Sequence, residues 1–222
     1  MGAAAIAGER ERGTLENLLA QPVSRTSLLL AKYAGLLGSL TAATIAGFVP
    51  AGLLILWAGA GASLFHYLLF PLIAGLVGAA MLGLGLLISV SSRSAVQSQG
   101  AAVFAWFGFV LLYDLVLMGS LALSGMSVEV LTAALVANPV DAARVLGVLA
   151  LEPDLYLMGP AGAYLTARFS RTGAAALLLA ALACWAAVPL LCAAIRFALP
   201  RQRARIARPI TVTEATREVT FS

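Results

Sequence analysis

The sequence predicts an all-α fold, a polytopic membrane helix bundle with four full crossings, preceded by a short polar amphipathic helix and interrupted by a broken or re-entrant segment. Three observations carry that prediction. Hydrophobic residues make up 61% of the 222-residue chain and charged residues only 11%, whereas soluble domains carry about 25% charge. At least four apolar stretches reach the roughly 20 residues that a helix needs to cross a bilayer. The Lys and Arg residues outside them fall mostly on one side when four crossings are drawn, as the positive-inside rule demands.

Residues 1–27 form a coupling-helix segment: Met1 to Gly8 is small, apolar and uncharged, and Glu9 to Ser27 is polar, with Leu15, Leu18 and Leu19 making a narrow apolar stripe at i, i+3, i+4 spacing, the pattern of a short amphipathic helix. Pro22 ends it and Ser24 is a candidate N-cap for the first spanning helix. The bundle occupies 28–199, with helices expected at about 28–57, 67–90, 101–123 and 173–199. In the first, Lys32 lies close enough to the end to snorkel, and Pro50 is a candidate kink. Ser91 to Gln99, with Arg93, reads as a loop. Segment 124–172 holds Glu129, Asp141, Arg144, Glu152, Asp154 and Arg168 with three prolines, so two or three short interfacial or re-entrant helices fit it better than a full crossing. Pro200 stops the last helix, and 200–222 is a basic tail with Arg201, Arg203, Arg205 and Arg208.

Orientation comes from counting. Arg10, Arg12, Arg25, Lys32, Arg93, Arg196 and five tail arginines make eleven cations on one side, against Arg144, Arg168 and Arg171 on the other. Both ends of the chain are therefore expected in the cytoplasm. A fifth crossing would put the arginine tail outside. Cys184 and Cys192 lie eight residues apart within the last apolar stretch, which fits packing and not a disulfide framework or metal finger. No phosphate loop, catalytic triad or metal-ligand cluster is present in the sequence, so no cofactor is expected on the chain, and an intramembrane enzyme is disfavoured because Asp114 has no second catalytic group at helical spacing.

Glu9-Arg10-Glu11-Arg12-Gly13-Thr14-Leu15-Glu16, followed by Leu18, Leu19, Pro22 and Arg25, is the most informative stretch. It reads either as a solvated juxtamembrane helix or as a coupling helix whose leucines sit in a groove of a soluble partner while its charges set orientation through rim salt bridges. At these residues the chain resembles the permease subunits of the ABC-2 exporter family, which carry a similar Glu-x-Glu-x-Gly-Thr-Leu-Glu-x-Leu-Leu…Pro-x-Ser-Arg signature ahead of their third membrane helix. That resemblance implies that a separate ATPase subunit binds and hydrolyses ATP and docks on Glu9, Glu11, Arg12, Gly13, Thr14, Leu15, Glu16, Leu18 and Leu19. It also implies a second copy of the chain around a central path, and an inner-membrane location. Asn138-Pro139-Val140-Asp141-Ala142-Ala143-Arg144, with Tyr113-Asp114-Leu115, is similar to the permease of the nitrous-oxide reductase maturation system, which implies copper-centre assembly and a periplasmic partner. Such permeases begin with an elbow helix and two further crossings; Gly2 to Gly8 is expected to be the tail of the second of these, and the chain a fragment or one with a late start.

Asp114 lies near the middle of the third expected helix, where an acid costs about 2.5 to 3.5 kcal/mol on insertion scales. It needs a partner or a polar cavity, on a translocation path or dimer interface, or bonded to a neighbouring helix. Asn138, Pro139, Asp141 and Arg144 are expected to form an extracytoplasmic turn, Asp141 and Arg144 pairing at i, i+3, with either a structural or a recognition role. Met118, Met126 and Met158 could offer thioethers to soft Cu(I), but they lack Met-x-x-Met spacing and read as core filler. His66 takes no assignment. Gly75, Ala79 and Gly83 at four-residue spacing favour close helix packing. The arginine tail is expected to meet anionic lipid of the bilayer and not nucleic acid. The rival to a permease is a non-transporting membrane anchor or assembly factor, and the cargo of a permease (copper, sulfur species, lipid, polysaccharide or drug) leaves no decisive residue pattern.

Overall fold

The computed structural model describes residues 2–20, 22–59, 64–124, 127–151 and 159–199. The tail arginines, Glu152, Asp154, Met126 and Met158 lie outside the described residues. Those residues form the helices α1 (Ala4–Glu11), α2 (Thr14–Leu19), α3 (Arg25–Trp57), α4 (Leu64–Ser91), α5 (Ala95–Phe107), α6 (Tyr113–Ser124), α7 (Val128–Ala137), α8 (Pro139–Leu151) and α9 (Gly159–Ala198). A π-helical turn, Gly108–Leu112, joins α5 to α6.

Among the described residues four helices are long and apolar enough to cross a membrane: Arg25–Trp57, His66–Ser91, Ala95–Gly119 and Ala167–Ala198. Helices α7 and α8 pass the same test only together and are bent by 103° at Asn138, the geometry of a broken span or a re-entrant loop. Hydroxyls inside the spans are tolerated because Ser39, Thr41, Thr44 and Ser91 each donate to the carbonyl four residues back. Pro50 and Pro71 lie inside α3 and α4.

The centre of the bundle is the α4–α9 pair. A Cβ on Gly83 would lie 3.1 Å from the Ala186 carbonyl oxygen, so glycine is what lets these backbones meet. Of the small-residue stripe, Ala79 is buried and Gly83 packs in this way, but a Cβ on Gly75 would meet open space. At one end Ile6, Leu15, Leu29, Leu86, Val90, Ala193 and Phe197 form a cluster, and at the other Ile73, Ala142, Val145, Leu146, Leu178 and Leu182 form a second. The α3 and α5–α6 spans are outer walls whose Leu53, Trp57, Phe104 and Leu115 point away from the protein, into what is hydrocarbon for a spanning helix.

Three boundaries differ from the sequence expectation. The polar segment is two helices and not one, because Gly13 takes the left-handed conformation (φ 72°) and turns the chain between α1 and α2. The loop after α4 shrinks to Ser92–Ser94, since the Ser94 hydroxyl accepts from the Gln97 N–H at 3.2 Å and starts α5 at Ala95, six residues earlier than expected. Helix α9 begins before residue 173 but is broken at Ser170 (φ 57°), whose hydroxyl caps the continuing helix by accepting from the Gly173 N–H.

Candidate functional site

Two constructions stand out, one at each depth of the bundle. At the basic end, α1 and α2 are tied to three spanning helices. The Ser89 hydroxyl, fully buried near the end of α4, accepts from the N–H groups of Ile6 and Ala7 at 3.0 and 2.9 Å. These are N–H groups of the first turn and a half of α1, which have few partners inside their own helix. Glu9 pairs with Lys32 of α3 at 2.5 Å, while its other oxygen, Oε2, is buried without a hydrogen-bond partner. Glu11 accepts from the Ala95 N–H at 2.8 Å and so caps α5, where a carboxylate also suits the positive helix end. Arg10 donates to the Val90 and Ser92 carbonyls, at the end of α4 and just beyond it. Arg196 of α9 donates to Ser91 of α4.

Within the chain the leucine stripe turns toward the bundle. Leu15 is buried in the cluster shared with α3, α4 and α9, Leu19 packs against it, and Leu18 is half-buried. The reason is that this cluster offers apolar surface within reach, so burying the stripe there removes it from water. Glu9 and Glu11 likewise direct their charge to partners within the chain. Exposed in this segment are Glu11, Arg12, Gly13, Thr14, Glu16 and Asn17. Arg12 donates back to the Gly8 carbonyl and Thr14 to that of Glu9, so the exposed turn is stiffened from within.

At the apex of the bent α7–α8 hairpin every broken backbone group needs a partner, because lipid supplies none. Asn138 provides several. Its side-chain oxygen accepts from the Val140 N–H at 3.0 Å and its amide donates to Phe109 O at 2.8 Å and to Asp141 Oδ2 at 2.9 Å. Pro139 opens α8 where a missing N–H is harmless. Phe109 belongs to the π-helical turn, and the insertion of a foreign amide beside that turn is the kind of contact that accompanies such bulges. The last carbonyls of α7 are taken by side chains from both flanks: Tyr113 donates to Ala134 O at 2.6 Å and Trp185 to Ala137 O at 3.0 Å. Trp185 and Phe109 also meet edge to face at 5.2 Å. Phe109 is 14 residues from Ala95 and Trp185 13 residues from Ala198, so at 1.5 Å per residue the apex sits about 20 Å from the basic end.

Asp114 is paired. Arg144 of α8 donates to Asp114 at 3.2 Å and to Asp141 at 2.6 Å, so the i, i+3 pair extends into a triad joining α6 to α8. Because α5 starts at Ala95, Asp114 lies about 28 Å along its span, near the far edge and not at mid-helix as expected. The Asp141 side chain is only 2% exposed, whereas Asp114 and Arg144 are 36% and 47% exposed. Tyr113 is marked in the sequence only by the Tyr113-Asp114-Leu115 resemblance and Trp185 only as an aromatic in an apolar stretch; no spacing links either to the hairpin. No group of three or more His, Cys, Asp or Glu able to hold a metal occurs among the described residues, and Met118 lies 72% exposed on α6.

Four spans, a bent helix pair with a sealed apex, and a short helical hairpin locked across three span ends define a multi-pass membrane helix bundle. The chain belongs to the ABC-2 family transporter proteins, whose family model matches residues 1–199. It is 34% identical over 161 residues to the probable ABC transporter permease protein NosY of Stutzerimonas stutzeri, covering 70% of this chain and 58% of that protein. It is 38% identical over 154 residues to the protein of the same description from Pseudomonas aeruginosa, covering 64% and 54%. The chain thus spans a little over half the length of the curated relatives it matches.

Proposed function

We infer that this chain is the membrane part of an inner-membrane exporter permease in which α1 and α2 receive force from a separate ATPase subunit and pass it to the spans. The observation that carries this reading is the wiring of α1: Ser89, Lys32 and the Ala95 N–H each tie it to a different spanning helix, while Arg12, Gly13, Thr14 and Glu16 stay exposed on its outer side. A load applied to the exposed turn reaches α3, α4 and α5 together, which favours rigid-body tilting over local bending. The basic end is cytoplasmic on this reading, as the excess of Arg and Lys requires. ATP is then used on the partner and no cofactor is held by this chain.

Asp114 and Arg144, half-exposed and paired near the far edge of the span, offer polar groups that suit cover by protein better than by lipid. A second copy of the chain is the occupant proposed for that face. The resemblance at Asn138–Arg144 and Tyr113–Leu115 supports a role in nitrous-oxide reductase copper-centre maturation, with a periplasmic partner on the far side. The test is a double charge reversal, Arg12→Glu with Glu16→Arg, followed by co-purification of the ATPase subunit. Loss of the ATPase from a bundle that still folds is the expected result; wild-type recovery of the ATPase overturns the reading.

A further inference from the structure

At the basic end a cavity of about 580 Å³ opens between α2 and the last turn of α9. Its rim carries three guanidinium groups, Arg10, Arg25 and Arg196, against one carboxylate, Glu16. Its floor is apolar: Leu15 and Phe197 are buried beneath it, and Leu199, 61% exposed, forms a greasy lip. The three arginines come from separate helices and are brought together only by the packing of α1 and α2 across the span ends.

The depth of the cavity decides what suits it. Arg25 starts the first span and Arg196 lies in the last turn of the fourth, so the rim sits where hydrocarbon gives way to headgroups. A site with excess positive charge above an apolar floor at that level matches a phosphodiester with attached acyl chains, and basic pockets among helix ends are a known route to lipid recognition. A soluble acidic segment would satisfy the arginines but gain nothing from a floor continuous with the bilayer.

We propose that the cavity rimmed by Arg10, Arg25 and Arg196 binds the headgroup of an anionic phospholipid, wedged beneath α2. The lipid neutralises the arginines and fills the space between α2 and α9. It stiffens the joint between the exposed turn and the spans. This site differs from the diffuse attraction of a basic tail, because it requires particular arginines on folded elements.

Native mass spectrometry of the complete protein, titrated with phosphatidylglycerol in a zwitterionic background, tests this. Arg25→Gln and Arg196→Gln are each expected to weaken phosphatidylglycerol retention about fivefold, the ratio corresponding to ~1 kcal/mol per arginine near the surface. Arg25→Lys and Arg196→Lys restore most of it, and Arg93→Gln, an exposed cation on the same face, leaves it unchanged. Arg196 also holds Ser91, so if Arg196→Gln fails to fold the exposed Arg25→Gln decides. No retained phosphatidylglycerol, an equal loss with Arg93→Gln, equal occupancy by inorganic phosphate alone, or filling of the cavity only by an ATPase segment each overturns the proposal. None of these readouts uses ATP hydrolysis, so failure of the coupling reading and failure of this one are told apart.

Discussion

Asn138→Ala removes three hydrogen bonds at once from a side chain that is fully buried: the cap on Val140 N–H, the bond to Phe109 O and the bond to the Asp141 carboxylate. Two neutral bonds at about 0.5–1.5 kcal/mol and one to a charged group at about 1.5–3 sum to about 2.5–6 kcal/mol. Membrane double-mutant values near 0.6 kcal/mol per bond set a lower bound of roughly 2 kcal/mol. The loss should exceed that bound because Asp141 then depends on Arg144 alone among these contacts, with its side chain 2% exposed. Asn138→Asp keeps the cap oxygen but places a further acid beside Asp141, so its loss should exceed that of Asn138→Ala. The assay is reversible unfolding in bicelles, read by the fluorescence of Trp185, which touches both Ala137 and Phe109. A change below about 0.5 kcal/mol, the scale of an ordinary surface substitution, would refute the claim that Asn138 seals the apex, as would an Asp variant more stable than the Ala variant.

The same contacts set three other outcomes. Ser89→Ala strands the Ile6 and Ala7 N–H groups and should weaken α1 by about 1–3 kcal/mol, seen as faster amide exchange at those two residues than in the wild type. Gly83→Leu should destabilise the α4–α9 pair by at least 1–3 kcal/mol through overpacking, while Gly75→Ala, facing open space, should leave the thermal midpoint unchanged. Gly13→Val should cost about 1–2 kcal/mol for its left-handed backbone, with Gly13→Asn losing less, as read from ATPase co-purification and thermal unfolding together.

Much of this architecture is legible in residue order alone. Long apolar runs dictate spanning helices whatever their neighbours, so the four crossings expected appear as four long apolar helices among the described residues. The break in segment 124–172 is readable from its charges and prolines, because lipid forbids an unpaired irregular backbone. The features that are not readable depend on contacts between distant residues. Glu9 and Glu11 look like solvated charges until Lys32 and the Ala95 N–H are brought beside them, 23 and 84 residues away in sequence. The inward turn of Leu15 depends on Phe197 and Ala193, at the other end of the chain. Early initiation of α5 does have a local signal: Ser94 with Gln97 three residues on is a capping pattern. The π-helical turn has no signature of its own, since the residue that enters beside it, Asn138, arrives from α7–α8.

The central claim is that the exposed turn of α1–α2 is where a motor subunit grips the bundle. Cysteine introduced at Glu16, in a background with Cys184 and Cys192 replaced by serine, tests it by crosslinking in membranes that contain the ATPase subunit. A crosslink from position 16 to the ATPase, absent from a cysteine placed at the far-end residue Trp57, is the predicted result. Crosslinking from Trp57 instead, or labelling of position 16 only by reagents confined to the periplasmic side, would contradict it.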